Sequence, residues 1–152
     1  KGELMLIKDH INLFSTHPLN GPNESSLGVR FPDMSNAYNG YLNELVLSSA
    51  KKLNIHLNEG VYISAQGPML ETPAEYRMLI NFGGDAVGMS TIPEVIAARH
   101  AGIKCCAISV LTDECDPDNL QPINIEDIIR VAGMAENKLI ELLLHSLSKI
   151  NK

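Results

Sequence analysis

The chain has 152 residues, 45% of them hydrophobic and 20% charged, which is ordinary for a globular protein and enough for one domain with its own core. A net charge of −6 excludes a broad nucleic-acid surface, although an acidic chain can still hold a phosphate locally. No apolar stretch approaches the roughly 18 residues that a membrane-crossing helix needs, so no membrane partner is expected.

The first residue is Lys1, not Met, and the apolar run Leu4-Met5-Leu6-Ile7 follows almost at once, so a piece of a longer polypeptide is expected. Residues 4–8 read as a short strand. Residues 14–35 are rich in Pro, Gly, Asn and Ser and read as a long loop, of a length that is usually functional or mobile. Leu42, Leu45, Val46, Ala50 and Leu53 recur at helical spacing and predict a helix over 36–54. A strand over 61–65 leads through the loop 66–72 to a helix over 73–82, stopped by Gly83-Gly84. Residues 85–89 read as another short strand, and Ser90-Thr91 open a helix to about His100, stopped by Gly102. The apolar run 103–111 is expected to be a central strand. Residues 113–123 form an acidic, proline-containing loop. From Asn124 an amphipathic helix runs to near the C-terminus, with Ile125, Ile128, Ile129, Ala132, Leu139, Leu143 and Leu147 on one face.

Strands alternating with helices from residue 61 onward argue for an α/β domain, with a mixed, largely parallel sheet flanked by helices. Ligands of such sheets bind at the carboxyl ends of the strands, where the loops 66–72, 89–91 and 112–118 are expected to meet. Glu71 draws attention in the first of these. Thr72 reads as an N-cap, Pro73 as the first helical residue and Glu75 as the partner that closes a capping box, so Glu71 is left over. It is either a solvated loop acid or an acceptor for paired N–H groups on a ligand, since a carboxylate offers two oxygens and no donor. Met89-Ser90-Thr91 stands where a strand ends at Gly88 and a helix begins, which makes an anion site or a plain hydroxyl cap, with Glu94 able to complete a second capping box. Asp113, after Thr112, ends an apolar strand and is either functional or the start of an Asx-turn.

There is no GxGxxG, no P-loop, and no G-x-S-x-G around Ser64. The histidines are scattered, without metal-ligand spacing, and no metal is expected. Three cysteines without a C-x-x-C pair point to a reducing compartment, and a cytoplasmic location is expected.

Taken together, GELMLIKDHINL (2–13), HPLNGPN (17–23), RFPDMSNAY (30–38), GPMLETPAEYR (67–77) and GGDAVGMSTIPEVIAARHAGI (83–103) resemble the trimeric purine nucleoside phosphorylases of the inosine–guanosine type. The resemblance implies the nucleoside phosphorylase/hydrolase fold, with residues 1–152 as the C-terminal half of a single phosphorylase domain. It implies phosphorolysis of inosine, guanosine and their 2′-deoxy forms to a free base and (deoxy)ribose 1-phosphate, with inorganic phosphate as co-substrate and no metal or organic cofactor. Glu71 would accept hydrogen bonds from the purine N1–H, Met89 would lie under the ribose, and Ser90 would bind phosphate. Phe31 would reach the sugar site of a neighbouring subunit in a homotrimer, and Thr112 and Asp113 would stand at the purine N7 and O6.

Three positions depart from the family pattern. Asp113 replaces the usual Asn, and an ionised Asp only accepts, which suits a 6-amino purine such as adenosine or 5′-methylthioadenosine. A protonated Asp113 could donate, but that needs a raised pKa. Leu70 replaces a stacking aromatic and keeps only apolar contact. Ile125 stands near a histidine that in many members meets the ribose 5′-hydroxyl. Glu71 favours a purine protonated at N1 and outweighs these. The family's upstream phosphate ligands and its glycine-rich purine-contacting segment have no counterpart in these residues.

Overall fold

The computed structural model describes residues 1–150. In chain order the elements are β1 (Glu3–Asn12), α1 (Gly40–Leu53), β2 (Leu57–Ser64), α2 (Pro73–Asn81), β3 (Ala86–Gly88), α3 (Ile92–His100), β4 (Ile108–Leu111) and α4 (Ile125–Leu147). The strands form one sheet in the order β3-β2-β1-β4. β1, β2 and β3 run parallel, and β4 runs antiparallel to β1. The mixed, largely parallel α/β sheet expected from the sequence is thus present. Among the described residues no helix is long and apolar enough to cross a membrane.

The run 103–111 supplies an edge strand and not a central one, and the interior strands are β1 and β2. Leu4, Met5, Leu6 and Ile7 are all at most 2% exposed, because β1 has a strand on each edge and helices over each face. Alternation then divides the core. Leu4 and Leu6 pack with Val46 and Ala50 of α1 and Ala135 and Leu142 of α4. Met5 and Ile7 face the other way, toward Tyr38, Tyr62 and Ile92, Val95 and Ile96 of α3. A third cluster joins Ile63 to Tyr76 and Leu79 of α2, with Cys115 packed against it.

Several boundaries shift for physical reasons. β1 continues past residue 8 because a register irregularity between Ile7 and Asp9 restarts the pairing, setting Asn12 opposite Ser64. α1 starts at Gly40, because Ala37 and Tyr38 are consumed by the core and the Asn39 side chain caps the Leu42 N–H. Of the run 103–111 only 108–111 is strand. Cys105 and Ala107 instead give their carbonyls to the Asn39 and Ile7 amides. α4 opens at the expected Asn124, whose side chain accepts from the Glu126 and Asp127 amides.

Leu6 is fully buried between β1 and α4, so Leu6→Ala leaves a cavity in the shared core. It should lower unfolding free energy by about 2–5 kcal/mol in chemical denaturation. A loss below about 1 kcal/mol would contradict this packing.

Candidate functional site

β2 delivers the chain into the loop that carries Leu70 and Glu71, and α2 takes it up again at Pro73. The expected capping box is complete. The Thr72 amide donates to Glu75 Oε2 at 2.7 Å, and the Glu75 amide donates to Thr72 Oγ1 at 3.3 Å. These bonds hold the Glu75 carboxyl below the ordinary carboxylate range. Helix capping therefore makes no demand on Glu71, which is half-buried. Nearby, the Tyr76 hydroxyl is pushed to a higher pKa, mainly by burial and then by Cys115 and Glu71.

β3 ends at Gly88, and Met89 and Ser90 follow as exposed residues. The close approach at Gly88 serves the fold and not a ligand, since a Cβ there would lie 2.1 Å from the Tyr62 hydroxyl. Gly67 is the position where two site loops touch, because a Cβ there would lie 2.2 Å from Met89 Sδ.

Thr91 does not make the expected box with Glu94. Its backbone sits at φ 73, ψ −54, and its side chain makes no cap hydrogen bond. The Ile92 amide instead donates to the Ser90 carbonyl at 2.8 Å, closing a strained γ-turn at a non-glycine residue. A capping hydroxyl needs an extended backbone to reach the helix's first amides, and this turn denies it. The first turn of α3 thus keeps its dipole and has no side-chain cap, which is favourable for an anion beside Ser90.

β4 runs antiparallel, so Thr112 and Asp113 leave the sheet at the end where β1 begins, opposite to the expected end. The chain then turns back. Cys115 packs beside Tyr76, and Asp118 pairs with Arg77 of α2. One cleft of about 670 Å³ consequently takes in Leu70, Glu71, Met89, Thr112 and Asp113. Ser90 does not line it but adjoins Met89. Phe31 lies in a different groove of about 700 Å³, alongside Asn12 and Arg30, and is 87% exposed. Ile125 is also outside the cleft, which Ile123 and Ile128 line instead.

Asp113 Oδ1 takes the Lys1 ammonium at 2.6 Å and the Glu114 amide at 2.9 Å. The Glu114 amide belongs to the next residue and not to the one two on, so this contact is not the Asx-turn that the sequence left open. The Lys1 contact, with the Glu114 amide, outweighs desolvation and lowers the Asp113 pKa below its ordinary value. That is the opposite of the raised pKa a donating Asp113 would need. Neither Lys1 nor Tyr76 was singled out from the sequence. Nothing local in the sequence signals Lys1, whereas Tyr76 lies one turn into the helix that Glu71 precedes.

A glycine at position 91 would relieve the positive-φ backbone. Thr91→Gly should stabilise the fold by about 0.5–1 kcal/mol, read as a higher denaturation midpoint. An unchanged or lowered midpoint would mean that no strain is held there.

Residues 1–148 match the family model described as the phosphorylase superfamily. Purine nucleoside phosphorylase 1 of Bacillus subtilis (strain 168) is 46% identical over 141 residues, which are 93% of this chain and 52% of that protein. The Schistosoma mansoni purine nucleoside phosphorylase solved with inosine superposes with a TM-score of 0.92 at 38% identity, over 99% of this chain and 56% of that one. The same enzyme solved with adenosine gives 0.90 at 39% identity, over 99% and 57%. The chain spans about half the length of the curated relatives it matches. Matched along nearly all its length, this chain belongs to the phosphorylase superfamily.

Proposed function

We propose that this chain is the C-terminal half of a purine nucleoside phosphorylase domain that splits 6-oxopurine nucleosides with inorganic phosphate. The products are the free purine and ribose or deoxyribose 1-phosphate, in purine salvage. The observation that carries this reading is the convergence of Leu70, Glu71, Met89, Thr112 and Asp113 on one cleft, with the uncapped start of α3 beside it. The relatives' names and the inosine-bound neighbour support it.

In this reading the nucleoside lies along the cleft. Glu71 accepts the purine N1–H, and its charge rejects a base whose N1 carries a lone pair. Leu70 gives the base an apolar wall, and Met89 supports the sugar. Ser90 and the first turn of α3 hold the phosphate against the anomeric carbon, so binding removes much of the entropy cost of bringing the two reactants together. A phosphate oxygen forms the new bond to that carbon as the bond to the base nitrogen breaks. The bonding pair departs with the purine, and hydrogen-bond donors at its rim stabilise that charge. No metal or organic cofactor takes part. Phe31, so exposed here, completes the sugar site of a neighbouring subunit in a homotrimer, and the enzyme is cytoplasmic.

A second reading, an adenosine or 5′-methylthioadenosine phosphorylase, draws on Asp113, which is an acceptor at the edge of the cleft. The adenosine-bound neighbour gives it some support. Glu71 weighs against it.

The test uses the full-length protein with inosine, with and without phosphate, and with adenosine in parallel. Phosphate-dependent release of hypoxanthine is expected. Glu71→Gln should lower kcat/KM for inosine roughly 10–100-fold, the value of a charged hydrogen bond. Release that ignores phosphate would make the protein a nucleosidase. Cleavage of 6-amino substrates alone would favour the second reading.

A further inference from the structure

The end of β4 faces the leaving base in the reading above, and this inference rests on that reading. A 6-oxopurine presents an acceptor oxygen at its rim, and the departing base gathers negative charge there. The cleft is poorly supplied with positive charge. Glu3, Glu71, Asp85, Asp113, Glu114 and Asp116 line it, and among the described residues Lys1 is the one lysine or arginine that does. Asp113, held ionised, offers acceptors alone.

Lys1 is placed by the residues that join it to the start of β1. The ladder ends with Glu3 opposite Leu111; there Gly2 turns to φ 76 and its amide still donates to the Leu111 carbonyl at 2.7 Å, one residue out of register. Lys1 follows from that turn and meets Asp113 just beyond the ends of both strands. The ammonium meets Asp113 Oδ1 at 2.6 Å, with the two side chains 46% and 31% exposed. An ammonium has three donors, and this contact uses one. The ion pair also holds both groups in place.

We infer that Lys1 and Asp113 act as one composite reader of the purine 6-position: Lys1 Nζ donates to the 6-oxygen, and Asp113 is the positioning residue that aims it. An asparagine would carry a donor and an acceptor in one side chain. Here the two functions are divided between two residues at neighbouring strand ends. The pair accounts for a carboxylate at this edge without requiring a 6-amino substrate.

The test is a double-variant cycle in the full-length protein, measuring kcat/KM for inosine and adenosine with saturating phosphate. Lys1→Met should lower the inosine-to-adenosine ratio roughly 10–100-fold. Asp113→Asn placed in the Lys1→Met background should recover most of that ratio, because the amide restores a donor. A structural role alone would lower both substrates together and would not be rescued by a second substitution. An unchanged ratio in Lys1→Met, or no recovery in the double variant, would overturn the inference while leaving the phosphorylase reading intact. A wild-type protein that cleaves neither nucleoside in the presence of phosphate would overturn that reading and this inference with it. Thermal melts of each variant check that the fold persists. A melted Lys1→Met variant would also count against the inference, since it would make the pair a fold-holding contact.

Discussion

Strand β1 is hydrogen-bonded on both edges and buried on both faces, and the positions of the site loops follow from it. Its parallel register with β2 sets Asn12 beside Ser64 and so decides where the 65–72 segment departs. Its antiparallel register with β4 sets Glu3 beside Leu111 and so decides where Thr112 and Asp113 emerge. A slip of one residue would turn Leu4 and Leu6 out of the cluster shared with α1 and α4 and into the one shared with α3. The apolar burial that holds the sheet together thus also fixes the chemistry at its ends.

Rigid strands alone would leave the loops loosely placed, and local contacts tighten them. Met89 is seated on Gly67, where no side chain could intervene. The Thr72–Glu75 box fixes the entry to α2 and frees Glu71 from a structural duty. The turn at Thr91 works differently. It keeps a hydroxyl residue in a backbone region that favours glycine, and in return the first turn of α3 stays uncapped. Strain of this kind persists only where the surrounding packing imposes it. Here Ile92, fully buried one residue later, supplies that packing.

Much of this could be read in the sequence. The box at Thr72, the helix start at Asn124 and the glycine stops follow local rules, and the structure reproduces them. The surplus of Glu71 was evident from those same rules. What escaped was set by tertiary pairing. The apolar run 103–111 and the run 4–7 look equally buried as strings. Neighbouring strands on each edge make β1 interior and leave β4 at the edge, and composition does not encode neighbours. The direction of β4 was illegible for the same reason, and with it the Lys1–Asp113 contact. The Thr91–Glu94 pattern matches a capping box in spacing but not in backbone conformation, which no spacing rule reports.

In the proposed function, Glu71 holds the purine N1 while the start of α3 holds the phosphate. A crystal structure of the full-length protein with hypoxanthine and inorganic phosphate tests it most directly. The expected result is the base with N1 against the Glu71 carboxylate, its 6-oxygen toward Lys1 and Asp113, and the phosphate on the Ser90 hydroxyl and the first amides of α3. A base bound away from Glu71, or a phosphate held without Ser90, would contradict it.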